Sequence, residues 1–311
     1  MKITKGKVDI SVVIPVYNTS DSLVELEKRI SNIFSSLPYK YEIIFVDDAS
    51  SNKETWKTLT ALSRREGVKC LTLMRNFGQQ AATLCGLAEA GGDYIITMDD
   101  DLQHLPEDIP KLIAEKEHDI VIAQLKKRKH KLLRVVASKI KGWFDYIILG
   151  KPKNIVLSSF RMLKKKVVEG ILQIQTPNPF VPAMMLYVSK DIKGIWVDHG
   201  ERKEGKSGYN LYKMLKLFSN LLINNSSILL RAIAVFGIFV SFFSILIGCF
   251  FIYKKIALGV TVTGWTSLML AITFSSGLLF FVVGIIGQFL IRIVSGIEKK
   301  PTYIIREKIG E

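Results

Sequence analysis

The sequence predicts an α/β fold on a mostly parallel sheet, followed by an interfacial helix and two transmembrane helices. Three observations carry this. Apolar, β-branched runs alternate with helically spaced segments over residues 10–98, the pattern of βαβ units. Two of those runs end in clustered aspartates. The C-terminal third holds two long stretches without a charge.

The elements follow in order. Ile10–Pro15 reads as a buried strand. Ser20 and Asp21 are placed to cap a helix with Leu23, Leu26, Ile30, Ile33, Phe34 and Leu37 on its apolar side. Tyr41–Val46 is a second strand, closed by Asp47 and Asp48. A helix over 53–65 leads to a third strand, Lys69–Met74, and a helix over 79–90 leads to a fourth, Asp93–Met98. That strand runs into Asp99, Asp100 and Asp101. Ligands of such sheets sit at the carboxyl ends of the strands, where both acidic groups lie. Residues 209–223 put Leu211, Met214, Leu215, Phe218, Leu221 and Leu222 on one helical face with Lys213, Lys216 and Asn220 off it, an interfacial pattern. A plain amphipathic core helix would show the same stripe.

The uncharged stretches are Ala232–Tyr253, 22 residues, and Ile256–Ile291, 36 residues. A hydrocarbon core of about 30 Å takes about 20 apolar residues, so spans are expected near 232–253 and 268–290. A pair of buried soluble helices would need a polar face, and AVFGIFVSFFSILIGCFF has none. The first 20 residues lack the form of an export signal. Lys254 and Lys255 lie between the spans, whereas Arg292, Lys299, Lys300, Arg306 and Lys308 follow the second. Positive charge therefore favours both termini inside, in a multi-pass protein of the cell (inner) membrane. The domains are then 1–208, the α/β domain; 209–230, juxtamembrane; 231–291, transmembrane; and 292–311, a basic cytoplasmic tail.

Composition narrows the class. The 311 residues carry 43 Lys and Arg against 28 Asp and Glu, a net charge of +15, with 49% apolar residues. That apolar content excludes a disordered chain. Cys70, Cys85 and Cys249 form no CxxC pair and the four histidines do not cluster, which argues against disulfide and zinc scaffolds and for a reducing compartment. Residues 126–141 hold eight Lys or Arg and no acid. Nucleic acid would favour interleaved aromatics, which are missing there. A lipid bilayer with anionic headgroups fits better, at about 1 kcal/mol per basic residue near the surface.

Folding alone does not ask for three adjacent aspartates at a strand end, because their repulsion raises at least one pKa unless a cation neutralises them. Asp99 and Asp101 share a face in extended chain. With Gln103 adding an oxygen they suit one hard divalent cation, Mg2+ or Mn2+, which uses one or two protein carboxylates and fills its shell with phosphate and water. A solvated acidic turn is the bland alternative; the aspartate pair on the second strand weighs against it.

Taken together, VVIPVYN (12–18), VDDAS (46–50), RNFGQQAATLCGL (75–87), MDDDLQHLPED (98–108) and ERKEGKSGY (201–209) resemble the family 2 glycosyltransferases of GT-A (Rossmann-like) fold. The likeness is to their polyprenyl-phosphate branch, the dolichyl-phosphate mannose synthase and bactoprenol glucosyltransferase type. The resemblance implies that Pro15, Tyr17, Asn18 and Asp48 contact the nucleotide, with Asp47 and Gln79 in the same nucleotide-sugar site. It puts Asp99 near ribose and metal, and Asp101 and Gln103 on the metal at the pyrophosphate. Arg134 and Ser138 would grip the acceptor phosphate, and Arg202, Gly205 and Ser207 would close over the site. The catalytic set is then Asp100, Asp101, Arg134 and Arg202, with Asp100 a candidate base. The sequence departs from the family at Leu125, where an arginine is common. It departs again at the uncharged run IVLSSF before Phe160–Arg161, where an acid is common, and at Gln288, where a glutamate is common.

The implied reaction is inverting transfer of a sugar from a nucleotide sugar, UDP-linked, to polyprenyl phosphate such as undecaprenyl phosphate, by a homo-oligomer packed through its membrane part. A phosphate monoester is largely dianionic at neutral pH and needs little general-base help. Two other readings exist. A processive polysaccharide synthase would want more spans and a QxxRW motif, which is absent. A non-catalytic nucleotide-binding scaffold would account for the departures. Gly200–Ser207 also matches a P-loop formally, but no aspartate follows it to hold Mg2+, and Glu201 and Glu204 would repel phosphate.

Overall fold

A computed structural model describes residues 7–125, 155–176, 179–197, 264–298 and 300–310, with isolated positions between 235 and 257. The chain divides into two units, Met1–Gly208 with Lys299–Glu311, and Tyr209–Glu298.

The first unit is an eight-stranded sheet. Its elements are β1 (Ile10–Val16), α1 (Asp21–Ser35), β2 (Tyr41–Asp47), α2 (Lys53–Leu62), β3 (Val68–Leu73), α3 (Gln79–Glu89), β4 (Tyr94–Thr97), a 3-10 turn (Pro106–Asp108), α4 (Ile109–Ala114), β5 (Ile120–Leu125), β6 (Arg161–Lys164), α5 (Lys165–Leu172), α6 (Val181–Val188), β7 (Ile192–Val197) and β8 (Ile305–Ile309). The strand order is β7-β5-β6-β4-β1-β2-β3-β8. β6 and β8 run antiparallel to their neighbours, and the other pairings are parallel.

β1 is buried along its whole length because both faces are covered, which is why ISVVIPV shows no polar alternation. Val12, Ile14 and Val16 face Leu23, Leu26, Ile30 and Phe34 of α1, Leu59 and Leu62 of α2 and Leu112 of α4. Val13, Ile44 and Val46 face Ala82, Cys85 and Leu87 of α3, with α5 and α6 beyond. Each fully buried Leu, Ile or Val contributes roughly 1.5–3 kcal/mol. Pro15 interrupts nothing. Val13 accepts from Met98 on the β4 side and Val16 from Asp48 on the β2 side, so the missing N–H of Pro15 points past the last β4 pair, Val13 with Thr97. Burial pushes the Cys70 and Cys85 thiols up to about 12, so both act as packing atoms.

Two expectations about ends change. Ser20 does not cap α1; its hydroxyl donates to the neighbouring Asp21 carboxylate at 2.9 Å. Asn52 does cap α2, accepting from the Glu54 N–H at 3.1 Å. Residues 305–309, read as part of a basic tail, form β8 instead. Ile305 and Ile309 pack partly buried against the core, and the strand covers the β3 edge, which would otherwise stand unpaired. Just before it, Met74 N–H donates to the Ile304 carbonyl at 2.9 Å and Lys308 pairs with Glu89.

In the second unit α7 runs from Trp265 to Ile297. Its Phe274–Ile291 segment is long and apolar enough to cross a membrane, and none of its described residues is buried; it is the one such segment among the described residues. At 1.5 Å per residue the 33-residue helix exceeds a hydrocarbon core of about 30 Å, so it overruns the 268–290 boundary at both ends. The described positions between 235 and 257 are helical and exposed, with the Phe239 and Phe243 rings 5.3 Å apart. Most of the first expected span, the 209–230 helix and the basic run 126–141 lie outside the described residues.

The seating of α3 on the sheet depends on Gly86, where a Cβ would fall 2.3 Å from Val13 Cγ1. Gly86→Ala is expected to destabilise by about 1–3 kcal/mol in urea unfolding, and Val13→Ala in the same chain should recover part of that loss.

Candidate active site

Chain order reverses between β1 and β4: β2 and β3 lie on one side of β1, β4 on the other. A crevice outside the carboxyl ends of the strands at such a switch point is where α/β sheets bind ligands. Tyr17 and Asn18 leave β1 there, and Asp99–Asp101 leave β4. Tyr17 is 50% exposed. Asn18 stitches two strand ends together: its N–H donates to Ser50 Oγ at 2.8 Å, and its Oδ1 accepts from Ser51 Oγ and Asn52 N–H, both at 3.1 Å. Pro15 is buried within β1.

Asn18, Ala49 and Leu102 are the non-glycine residues with positive φ, at 57°, 53° and 61°, among the described residues. All three sit just past strand ends that face this crevice. The conformation costs roughly 1–2 kcal/mol for a residue with a Cβ, and such strain gathers at functional sites. Leu102 is buried. Its turn carries the chain between Asp101 and Gln103, so that Gln103 donates to Asp101 twice, N–H to Oδ1 at 3.1 Å and Nε2 to Oδ2 at 2.7 Å.

Each remaining aspartate is held by the chain itself. Asp47, 2% exposed, accepts from Ser50 N–H at 3.0 Å and Thr72 Oγ1 at 2.8 Å. Asp48 accepts from the Phe77 and Gly78 amides at 2.7 and 2.8 Å. Gly78, with φ of 93°, is the N-cap of α3, so Asp48 sits at the positive end of a helix dipole. Burial still raises its pKa against those amide bonds, and Asp47 beside it adds to the rise. Asp99 accepts from Gln79 Nε2 on Oδ1 and from Ser159 Oγ on Oδ2, each at 2.7 Å.

Ser159 and His104 were not singled out in the sequence. The run IVLSSF drew attention only as a departure, yet its Ser159 reaches Asp99 across 60 positions. His104 is buried, its ring stacked 5.3 Å from that of Phe160. Its Nδ1 accepts from the Asp99 N–H at 3.1 Å. A nitrogen that accepts carries no proton, so the 3.7 Å approach of Nδ1 to Asp99 Oδ2 is not an ion pair. A histidine next to Gln103 was the available signal, but sequence cannot show which nitrogen accepts.

Asp100 turns towards the residues that follow β1. It lies against Thr19 and the Tyr17 backbone, with Oδ2 buried and without a hydrogen-bond partner. Burial pushes its carboxyl up to about 6, the charges of Asp99 and Asp101 push the same way, and Thr19 and Tyr17 oppose.

The structure thus brings Tyr17, Asn18, Asp47, Asp48, Gln79, Asp99, Asp101 and Gln103 to one end of the sheet. Arg134, Ser138, Arg202 and Ser207 lie outside the described residues. The available donors around Asp99 and Asp101 are hard oxygens, a set that fits Mg2+ or Mn2+ and not a soft metal. A second acidic group, Glu115, Glu117 and His118, brings its ligand atoms within 4.8 Å. It precedes β5 at the opposite end of the sheet, where His118 is bonded to Asp191 at 2.7 Å.

The sequence pattern of glycosyl transferase family 2 matches residues 11–172, just over half of the chain. The chain belongs to this family. Among curated relatives, the undecaprenyl-phosphate 4-deoxy-4-formamido-L-arabinose transferase of Serratia proteamaculans is 31% identical over 309 residues, covering 97% of this chain and 94% of the relative. Its namesake from Photorhabdus laumondii subsp. laumondii is 30% identical over 307 residues with the same coverage. Among solved structures, the glucosyl-3-phosphoglycerate synthase of Mycobacterium tuberculosis, in complex with Mn2+, UDP-glucose and phosphoglyceric acid, aligns with a TM-score of 0.52 at 13% identity, over 70% of this chain and 78% of that one. That likeness establishes the GT-A α/β fold. As a family 2 member the chain is a glycosyltransferase, and its candidate active site is the crevice between β1 and β4.

A carboxyl raised to about 6 when folded, against about 3.9 unfolded, favours the folded state while protonated. That advantage is complete below pH 4 and fades as pH rises through 6. In metal-free protein Asp100→Asn should therefore match wild type in urea unfolding at pH 4 and exceed it at pH 7.5, by on the order of 2–3 kcal/mol at about 1.4 kcal/mol per pKa unit.

Proposed function

We propose that this glycosyltransferase moves a sugar from a nucleotide sugar, UDP-linked, to the phosphate of a polyprenyl phosphate at the cytoplasmic face of the bacterial inner membrane, with inversion at the anomeric carbon. The observation that carries this reading is the extent of the likeness to the undecaprenyl-phosphate transferases. It covers 97% of the chain and so runs past the transferase domain into the apolar segment. The M. tuberculosis complex with Mn2+ and UDP-glucose supports a donor of this class.

The positions of the described side chains support these roles, and those of Arg134, Ser138, Arg202 and Ser207 rest on the family resemblance. Tyr17, beside Asn18 on the exposed end of β1, receives the nucleotide. Gln79 and Ser159 orient Asp99, and Asp48 fixes the loop at the start of α3. When bound, Mg2+ or Mn2+ held by Asp99, Asp101 and Gln103 supplies charge neutralisation on the departing diphosphate. Arg134, Ser138, Arg202 and Ser207 hold acceptor and donor phosphates. The acceptor phosphate is already dianionic at neutral pH, so positioning supplies most of the catalysis and Asp100 is not needed as a base. Its enclosure against Thr19 suits a role in shaping the turn.

The returning strand supports the membrane topology. The chain leaves the first unit at Gly208 and rejoins it at Lys299, ahead of β8, Ile305–Ile309, which pairs with β3. A chain that ends on the side it left crosses a bilayer an even number of times. With Phe274–Ile291 as one crossing, residues 232–253 supply the other, and both termini stay with the catalytic domain.

The test is incubation of detergent-purified protein with undecaprenyl phosphate, Mn2+ or Mg2+, and a panel of UDP- and GDP-sugars that includes the formamido-arabinose of the relatives' names. Mass spectrometry should show one sugar joined to the lipid phosphate, with product lost on adding EDTA. Asp101→Ala should reduce turnover at least about 100-fold while expression and membrane insertion persist. Full activity in that variant overturns the metal assignment.

A further inference from the structure

Arg161 opens β6 and is 2% exposed. Its Nε donates to Thr97 Oγ1 at 3.2 Å and its Nη1 to Met185 Sδ at 3.5 Å. Among the described residues it has no carboxylate within the 4.0 Å of an ion pair. Burial lowers its pKa to about 10 and the nearby charge of Asp99 works against that, so it stays cationic at neutral pH. A buried cation without a carboxylate partner costs more stability than an apolar side chain of similar volume. The neighbouring side chains include Met185, so a methionine would pack there. Packing alone does not account for an arginine.

The hydrogen bonds around it run in one direction. A guanidinium only donates. The Thr97 hydroxyl therefore receives from Arg161 and must pass its own proton onward, which it does to the Ser159 carbonyl at 2.6 Å. The Ser159 hydroxyl in turn donates to Asp99 Oδ2 at 2.7 Å. Thr97 closes β4 and Arg161 faces it in antiparallel register, so the relay crosses from one strand to the next just beneath the carboxylates.

We propose that Arg161 is a positioning residue for Asp99. Through Thr97 and Ser159 it fixes the orientation of the Asp99 carboxylate, and its charge stands behind an acidic cluster that must accept a diphosphate. This rests on the nucleotide-sugar reading of the crevice. Arg161 does not touch the reacting atoms. Its effect falls on donor binding and leaves acceptor binding alone.

The experiment compares full-length wild type, Arg161→Met, Arg161→Lys, Ser159→Ala and the Arg161→Met/Ser159→Ala double variant. It reads thermal unfolding, titration with UDP in the presence of Mn2+, and steady-state transfer with donor and acceptor varied separately. Arg161→Met should unfold at or above the wild-type temperature yet bind UDP about 10- to 100-fold more weakly. Its donor KM should rise while its acceptor KM stays. Arg161→Lys should recover part of the affinity through its charge. The double variant should bind no more weakly than the worse single one, because both cut one relay. A folded Arg161→Met that binds UDP as wild type does would overturn the proposal. Should that variant fail to fold, Thr97→Val, which cuts the relay and leaves the cation, decides by the same criterion. Wild type that binds no UDP at millimolar concentration would instead sink the nucleotide reading, and this proposal with it.

Discussion

Five carboxylates, those of Asp47, Asp48, Asp99, Asp100 and Asp101, leave two strands at the same end of one sheet, and the chain around them has to accommodate both their burial and their mutual repulsion. Asp47, Asp48 and Asp99 are each held by neutral donors: hydroxyls, amides and the N-terminal turn of a helix. Neutral donors orient a carboxylate and leave its charge in place. Asp100 meets the same pressure by burial and a raised pKa. Negative charge is thus concentrated and directed at the switch point between β1 and β4, where a divalent cation carrying a diphosphate is the natural complement.

The other end of the sheet shows the contrasting solution. Glu42 is buried, but it accepts from Ser11 at 2.6 Å and Gly91 at 2.7 Å and pairs with Lys69 at 2.6 Å. Burial would raise its pKa; the bonds from Lys69, Ser11 and Gly91 outweigh that and hold it below the usual value. A buried carboxylate with a cationic partner closes a network, which is what a structural site needs. Among the described residues, Asp47, Asp48 and Asp99 at the functional end are bound by neutral partners, and that contrasts with Glu42 at the other end.

Much of this was legible before the structure. Both faces of β1 and β2 are apolar, so their strands stood out as continuous runs, and the spacing of Leu23, Leu26, Ile30 and Phe34 gave α1 its buried side. Asp99, Asp101 and Gln103 could be grouped because they lie within five residues, although it is the turn at Leu102 and not an extended chain that brings Gln103 onto Asp101. What stayed hidden was non-local. Ser159 joins the site through a bond spanning 60 positions, and nothing in IVLSSF marks it. β8 was obscured because IREKI carries three charges in five residues; as an edge strand it needs only Ile305 and Ile309 turned inward. Ser20 misled because its hydroxyl had a nearer acceptor in Asp21. Sequence placed Asp47 and Asp48 at the end of the second strand but could not show that they bond to Ser50, Thr72 and the Phe77 and Gly78 amides.

The central claim is that the carboxylates after β4 hold a divalent cation against the diphosphate of a nucleotide. Electron paramagnetic resonance of Mn2+ added to the full-length protein, with and without UDP, tests it most directly. The account predicts that UDP tightens Mn2+ binding, that the bound ion shows hyperfine coupling to phosphorus, and that Asp101→Ala abolishes the coupled species. Mn2+ bound equally well without UDP and showing no phosphorus coupling would contradict it.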